Sequence, residues 1–443
     1  MGGPYVDAIR PDESLPEEAA VVIVGGGIIG VSAALWLARR GVSVVLCEKG
    51  HVAGEQSSRN WGWCRQAGRD EREMALMAES IRRWRTMAET VGADVGYDPC
   101  GTLYVARNEA EEQGFHEWLA MAAPYDTQAR LVHGAELQAL MPGATQSFRC
   151  GLYVPSDGRA EPQWAVPAMA RAAQAAGARI VTQCSVLGLE RSAGRVSAVV
   201  TSRGNVRCDA VLLAGGVWSS ALCATLGVTL PQLKVLGSVM RTAPLQGGPE
   251  TCGWVDSWGY RKRRDGGYTL GFGGKHLAPL VPDSLRFLGA FLPLLRQNWK
   301  TIRPHADGTA LREWVALLQG DQGLRDSLCR EPTLDPAPNP ASLRQVLAEI
   351  TALYPVFREA RVVQRWAGYI DVTPDLIPYI DEVEACPGLT VATGFSGHGF
   401  GIGPAAGELA AATVIGQSST LASPAFRASR FADGSPVLLG AEI

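Results

Sequence analysis

The chain has 443 residues, 47% hydrophobic and 19% charged, with a formal net charge of -3. That supports a sizeable core and two or three domains, and so small a charge gives no electrostatic case for nucleic acid or an anionic membrane. No apolar signal-type region opens the sequence, and no run reaches the ~20 apolar residues of a membrane span. The ten cysteines lack zinc-ligand spacing, as expected of reduced thiols in a cytosolic protein without a structural metal.

Residues 1–18 form a polar lead expected to be mobile. Ala20 to Lys49 then reads as strand, helix, strand: Val21 to Val24, a helix opened by Ile28 and Ile29, and Val42 to Cys47. Gly25, Gly27 and Gly30 stand as G-x-G-x-x-G, the spacing at which a tight turn, bare backbone and close helix packing let a pyrophosphate sit on a helix N-terminus. Glu48 ends the second strand, where a carboxylate accepts from both ribose hydroxyls, favouring FAD or NAD over NADP.

The loop that follows, HVAGEQSSRNWGWCRQAGRD, is expected to lie over the cofactor. A helix is predicted from Glu71 to Val91, mixed strands and helices from Tyr97 to Tyr153, a helix from Pro162 to Ala176, and strands from Arg179 to Ala214. Beyond these come strands near Val235 to Arg241 and Tyr268 to Phe272, and helices near Leu285 to Trp299 and Ser342 to Leu353. The basic run at 261–264 reads as a solvated hairpin tip, and Leu277 to Leu295, broken by prolines, as an internal helix or interface element. Arg361 to Ile370 and Leu389 to Thr393 are the last strands, before a glycine-rich turn entering a helix. The expected fold is α/β: a Rossmann-like cofactor domain (19–95, 151–233 and 355–420) interleaved with an α+β substrate domain (96–150 and 234–354) containing a mainly antiparallel sheet. Residues 421–443 form a tail.

In the turn before the last helix, glycines at 397, 399, 401 and 403 expose backbone N–H groups with a helix dipole behind them. Such a nest suits the negative charge of a two-electron-reduced flavin, which nicotinamide does not develop.

IVGGGIIG with Glu48 and Lys49, the Ser57-Ser58 loop, LLAGGVWS at 212–219, W-x-G-x-x-x-x-T-P-D-x-x-P from Trp366 to Pro378, and GFSGHGF together resemble the D-amino-acid oxidase superfamily, especially its sarcosine oxidase, glycine oxidase and amino-acid dehydrogenase-like branch. The resemblance implies an FAD enzyme that oxidises the C–N bond of an amino acid, passing the Cα hydride to flavin N5, with hydrolysis of the imine to a keto acid and ammonia. It also implies that Gly25, Gly27 and Gly30 take the pyrophosphate, and Glu48, beside Lys49, the ribose. Ser57, Ser58, Arg59 and Asn60 would run along the flavin and ribityl chain, Val186 would meet the adenine, and Ala214, Gly215, Gly216 and Trp218 the phosphate side. Gly397, His398, Gly399, Phe400 and Gly401 would face the flavin pyrimidine edge. A hydroxylase using NADPH shares the glycine fingerprint, but its second flavin motif is absent.

Sarcosine-oxidase-like chains attach FAD to a Cys seven residues before the Asp of T-P-D; here that position is Gly368, so non-covalent FAD is expected. Gly401 stands where those relatives carry a carboxylate-pairing Lys, Thr269 where they carry an oxygen-activating Lys, and no Arg falls within Tyr369-Ile370-Asp371 as in glycine oxidases. A carboxylate in a dry pocket needs a cation; Arg65 is the first candidate, then Arg59 and Arg69. Asp371 could receive a cationic side chain or be structurally paired, and His398 could hold the turn or face the reduced flavin. Trp61, Trp63, Tyr260, Trp366 and Tyr369 are candidate walls of an amphipathic cavity. The expected substrate is an amino acid, tilted toward a sizeable or basic one. The electron acceptor is O2 or a quinone or other carrier. A flavin subunit of a hetero-oligomeric opine or hydroxyproline dehydrogenase-like complex and an N-methyl or imino acid oxidase are the alternatives. Homo- or hetero-oligomer, and a peripheral place on a membrane, stay open.

Overall fold

The computed structural model describes residues 2–440, the side chain of Asp321 excepted. The strand Glu18–Val24, helix Ile28–Ala38 and strand Val44–Cys47 form where expected, and the two strands pair in parallel. Ten of the eleven residues of the helix are buried, because it lies between the helices Pro162–Ala175 and Gly399–Val414. Parallel pairing continues outward to Gly204–Leu213 and Leu389–Thr393 on one side and Arg179–Val181 on the other. The hairpin Val186–Ser192 and Arg195–Thr201 extends this eight-stranded sheet antiparallel from Gly204–Leu213.

A second sheet of ten mainly antiparallel strands is built around Leu233–Thr242. Two segments assigned from sequence to the cofactor domain belong to it instead: Val362–Val372, paired along Leu233–Thr242, and Cys150–Val154, paired with Thr102–Ala106. The pairing residues lie more than a hundred positions away in the first case, beyond the reach of local pattern.

Other expectations change as well. The lead is tied to the body, with Asp7 N–H donating to Gln163 O at 3.1 Å and Ile180 N–H to the Asp12 carboxylate at 2.7 Å. The helix predicted over 71–91 is two helices, Glu71–Arg85 and Met87–Val91, meeting at Thr86. The basic run is no solvated tip: Arg261 is 1% exposed and grips Glu161 through two bonds of 2.8 and 3.2 Å, and Arg263 is buried against the same carboxylate. Two helices went unread, Gly308–Leu318 and Gly320–Arg330. In the tail, Arg430 is buried and bonded at 2.9 Å to both oxygens of Asp375, the acid of T-P-D; residues 441–443 lie outside the described residues. The segment read as an internal helix or interface element packs one face, with Phe287, Phe291 and Leu294 buried, and exposes the other, with Leu280, Leu285, Leu288 and Leu292 open to solvent. No helix among the described residues is long and apolar enough to cross a membrane.

Candidate functional site

At the carboxyl ends of Glu18–Val24, Val44–Cys47, Gly204–Leu213 and Leu389–Thr393, a cavity of about 1070 Å³ runs from Val186 past Gly25 to the second sheet at Trp254 and Phe272. This is where an open parallel sheet places a ligand. Gly25 has φ +108, and a methyl group there would stand 2.4 Å from Ala214 O. Gly30 stays out of the cavity, where a methyl group would meet Gly25 O at 2.1 Å, so it serves the close packing of helix on strand. Gly27, Ile28 and Ile29 line the cavity, and Ile28 N–H is taken by the Ser57 hydroxyl at 2.8 Å. Glu48 accepts from Gly26 N–H and Gly50 N–H at 2.7 Å each. Burial raises its carboxyl pKa, opposed by those two bonds.

Lys49 lines the cavity with its ammonium 2.9 Å from Glu55 and 3.7 Å above the Trp218 ring; Trp218 also donates to Glu55. Ala214, Gly215 and Gly216 complete that wall. Asn60 lines the cavity while its side chain bonds Ser57 O and Gly62 N–H. Ser58 does not line it: its hydroxyl turns to Glu55 O and its carbonyl accepts from Gln163. Gly397, Gly399, Phe400 and Gly401 line the far side as the last helix begins. A methyl group at Gly401 would stand 2.9 Å from Trp63 O, so no side chain fits there. At Gly368 a methyl group would meet Arg59 Cδ at 3.0 Å; the cavity carries no thiol at this position, and the site fits a dinucleotide held without a covalent bond.

His398 is 3% exposed and caps the last helix, with Nδ1 2.9 Å from Glu73 Oε2 and no partner at Nε2. Burial first, then the Arg69 charge, lower it to about 4, so it is neutral at ordinary pH. Its geometry is that of a pin between the glycine turn and the helix Glu71–Arg85.

Arg59 is spent: it bonds Asp335 at 2.6 Å, Ala367 O at 2.8 Å and Gly54 O. Arg65 and Arg69 line the cavity, and neither has a carboxylate within 4.0 Å among the described residues. Arg69 is 4% exposed, its Nη1 has no partner, and burial, then Arg65, lower it to about 9. The charges of Glu73 and Asp157 oppose this in part, but neither pairs with Arg69 directly; a carboxylate entering the cavity would supply the direct partner that buried Arg69 and half-buried Arg65 lack.

Asp371 lines the cavity but is committed, accepting from Gln56 at 2.8 Å, Gly394 N–H at 2.7 Å, and Gln232 and Thr393 at 3.2 Å each. It has no capacity for a cationic substrate arm. Tyr369 lines the cavity with its hydroxyl donated to Asp307 at 2.6 Å. Two proposed walls lie elsewhere: Trp366 is core, donating to Arg59 O at 3.0 Å, and Tyr260 is core, its hydroxyl 3.1 Å from that of Tyr354.

The aromatic end is instead Trp61, Trp63, Trp254 and Tyr104. Trp61 stacks on Trp254 at 5.7 Å, Trp254 on Tyr104 at 6.3 Å, and Trp63 meets Trp61 edge-on at 5.2 Å. Arg65 closes the ring, 5.6 Å from Trp63 and 5.7 Å from Tyr104. Its floor is bare backbone: Gly259 and Gly271 are register partners, and a methyl group at Gly271 would stand 2.1 Å from Trp61. Tyr104 was legible in principle, since period-two alternation sets it opposite Leu103 and Val105; nothing local separates Trp254 from the core residue Trp258.

A family model described as "FAD dependent oxidoreductase" matches residues 20–413. Human mitochondrial sarcosine dehydrogenase is 27% identical over 346 residues, covering 76% of this chain, which spans 37% of that protein. Among solved structures, L-amino acid deaminase from Proteus vulgaris superposes with a TM-score of 0.90 at 30% identity, covering 95% of this chain and 99% of that one. The Proteus myxofaciens L-amino acid deaminase in complex with anthranilate gives 0.92 at 29% identity, with 97% of each chain covered.

Proposed function

The chain belongs to this family of FAD-dependent oxidoreductases, and from that premise we propose that it oxidises the C–N bond of a free α-amino acid with a large side chain, of the L configuration named for the two Proteus enzymes. The observation that carries the proposal is the pair of arginines, neither directly ion-paired among the described residues, that line the cavity beside the aromatic ring. Arg69 and Arg65 receive the substrate carboxylate, for which guanidinium geometry is suited. The side chain lies against Trp61 and Trp254, whose faces offer apolar area at little entropic cost.

FAD, when bound, supplies the hydride acceptor. Gly25, Gly27 and the first turn of Ile28–Ala38 hold its pyrophosphate, Glu48 its ribose, and the N–H groups of the turn at 397–401 the negative charge that reduction develops. The chain's own part is to orient the Cα–H bond and exclude water, which position alone can make worth several kcal/mol (about 7–11 at the limit). Hydrolysis of the imine then gives a keto acid and ammonia. Thr269, read as the relatives' oxygen-activating Lys, is buried against Arg261 and Arg263 away from the cavity, and among the described residues the one lysine that lines the cavity, Lys49, is paired with Glu55; the lack of a free lysine there favours a quinone or other carrier over O2 as acceptor.

The test is the visible spectrum of the FAD-loaded protein, without air, against pools of L-amino acids, D-amino acids and N-methyl or imino acids. Bleaching by large L-amino acids is expected. Bleaching by D-amino acids or only by glycine and sarcosine would refute the substrate class, and a spectrum unchanged by any pool would favour an opine-type substrate or a missing subunit. Rapid reoxidation on admitting air would refute the preference for a carrier.

A further inference from the structure

Beneath the aromatic ring, the Sγ atoms of Cys100 and Cys252 are 3.7 Å apart, although 152 residues separate them in sequence. Cys252 is 0% exposed, whereas Cys100 is only partly buried, in the stretch leading to the strand Thr102–Ala106. The backbone already fixes the approach: Cys252 N–H donates to Gly101 O at 3.0 Å, and the strand Cys252–Val255 pairs in parallel with Thr102–Ala106. Two residues further on, Trp254 and Tyr104 are register partners, and both belong to the ring. Side chains two apart on a strand share a face, so Cys252 lies next to Trp254 on the sheet.

We propose that Cys100 and Cys252 are a peroxide-sensitive thiol pair that closes to a disulfide and pins the two strands carrying Trp254 and Tyr104. Cys100 is the attacking thiol, because it is the accessible one. Its thiol is also lowered from its ordinary range by the Cys252 hydrogen bond and by the Arg159 guanidinium, while burial first pushes Cys252 up. The Cys100 thiolate displaces hydroxide from hydrogen peroxide, giving a sulfenic acid; the Cys252 thiol then attacks that sulfur, its proton leaving with the hydroxyl group as water. Two thiols and one peroxide become one disulfide and two waters. The sulfurs must approach to about 2.05 Å, which side-chain rotation in the two partners supplies. Nothing in this step depends on the amino-acid reading of the cavity.

The experiment treats the purified FAD-loaded protein with hydrogen peroxide, blocks free thiols under denaturing conditions, and maps the cysteines by non-reducing peptide mass spectrometry. A Cys100–Cys252 cross-link that dithiothreitol reverses, absent in Cys100→Ser, is expected. The oxidised wild type should also melt several degrees higher, as a cross-link over so long a loop constrains the unfolded chain. Cys100 carried to sulfinic acid with Cys252 still free would overturn the proposal, as would reaction confined to the exposed Cys329. Cross-linking of Cys252 to Cys64 instead would also overturn it. Because wild-type mapping decides the matter, poor folding of the variant leaves the result standing.

Discussion

The Nε–H of Arg69 donates to the backbone oxygen of Arg65 at 3.3 Å, so two guanidinium groups rise from one turn of chain with no carboxylate paired directly to either among the described residues, Glu73 and Asp157 acting on Arg69 only from a distance. Replacing Arg69 by Met removes a buried charge while keeping volume. The fold is expected to hold or gain stability, while KM for the amino acid rises about 10–100-fold, the worth of a charged hydrogen bond. FAD content should stay unchanged. Steady-state kinetics beside a thermal melt check this; a loss of stability with KM untouched would make Arg69 a structural residue.

A methyl group at Gly271 has nowhere to go but into the Trp61 indole, at 2.1–2.3 Å. Gly271→Ala is expected to cost about 1–3 kcal/mol of stability, as overpacking does, and to displace the ring. Denaturant unfolding gives the first, and loss of discrimination between large and small substrates the second.

Glu48→Gln should weaken FAD binding about tenfold, since an amide can accept from only one of the two N–H donors that Gly26 and Gly50 present. Release of FAD fluorescence on dilution measures it, with far-ultraviolet circular dichroism as the control for folding.

His398 binds a proton at about 4 in the fold but near the ordinary histidine value of 6.5 when unfolded. The unfolded chain therefore takes up more protons between these values. The stabilisation from keeping the ring neutral is complete above 6.5 and is lost as pH falls toward 4, by up to about 3 kcal/mol. His398→Gln should flatten this acid limb. Melting midpoints from pH 4 to 7 for both proteins test it, and parallel curves would show that His398 is not the group responsible.

What could be read from the sequence was what local spacing dictates. The glycines at 25, 27 and 30 and the acid at 48 are required by one turn and one strand end, so the cofactor half was legible before any contact was known. The identity of the free arginine was not. Arg59 and Arg65 look alike in RNWGWCR, and only Asp335 and Ala367, 276 and 308 residues downstream, remove Arg59 from consideration. Which of its two readings held for Asp371, structural pairing, was hidden for the same reason, its partners Gln56 and Gln232 lying far away in the chain. The basic run misled because Glu161, a hundred residues upstream, supplies the charge that lets Arg261 be buried. The helices Gly308–Leu318 and Gly320–Arg330 escaped notice because glycines at 308, 320 and 323 and exposed Leu311, Leu317 and Leu318 blur the usual periodicity.

The paired glycines under Trp61 also bear on how such a site can change its diet. The two glycines carry the indoles of Trp61 and Trp63 and do not line the cavity themselves, which leaves selectivity to the loop at 61–65 and to single side chains such as Trp254 and Tyr104. Those positions can be exchanged without disturbing strand alignment, so the framework can be inherited intact while the menu is rewritten.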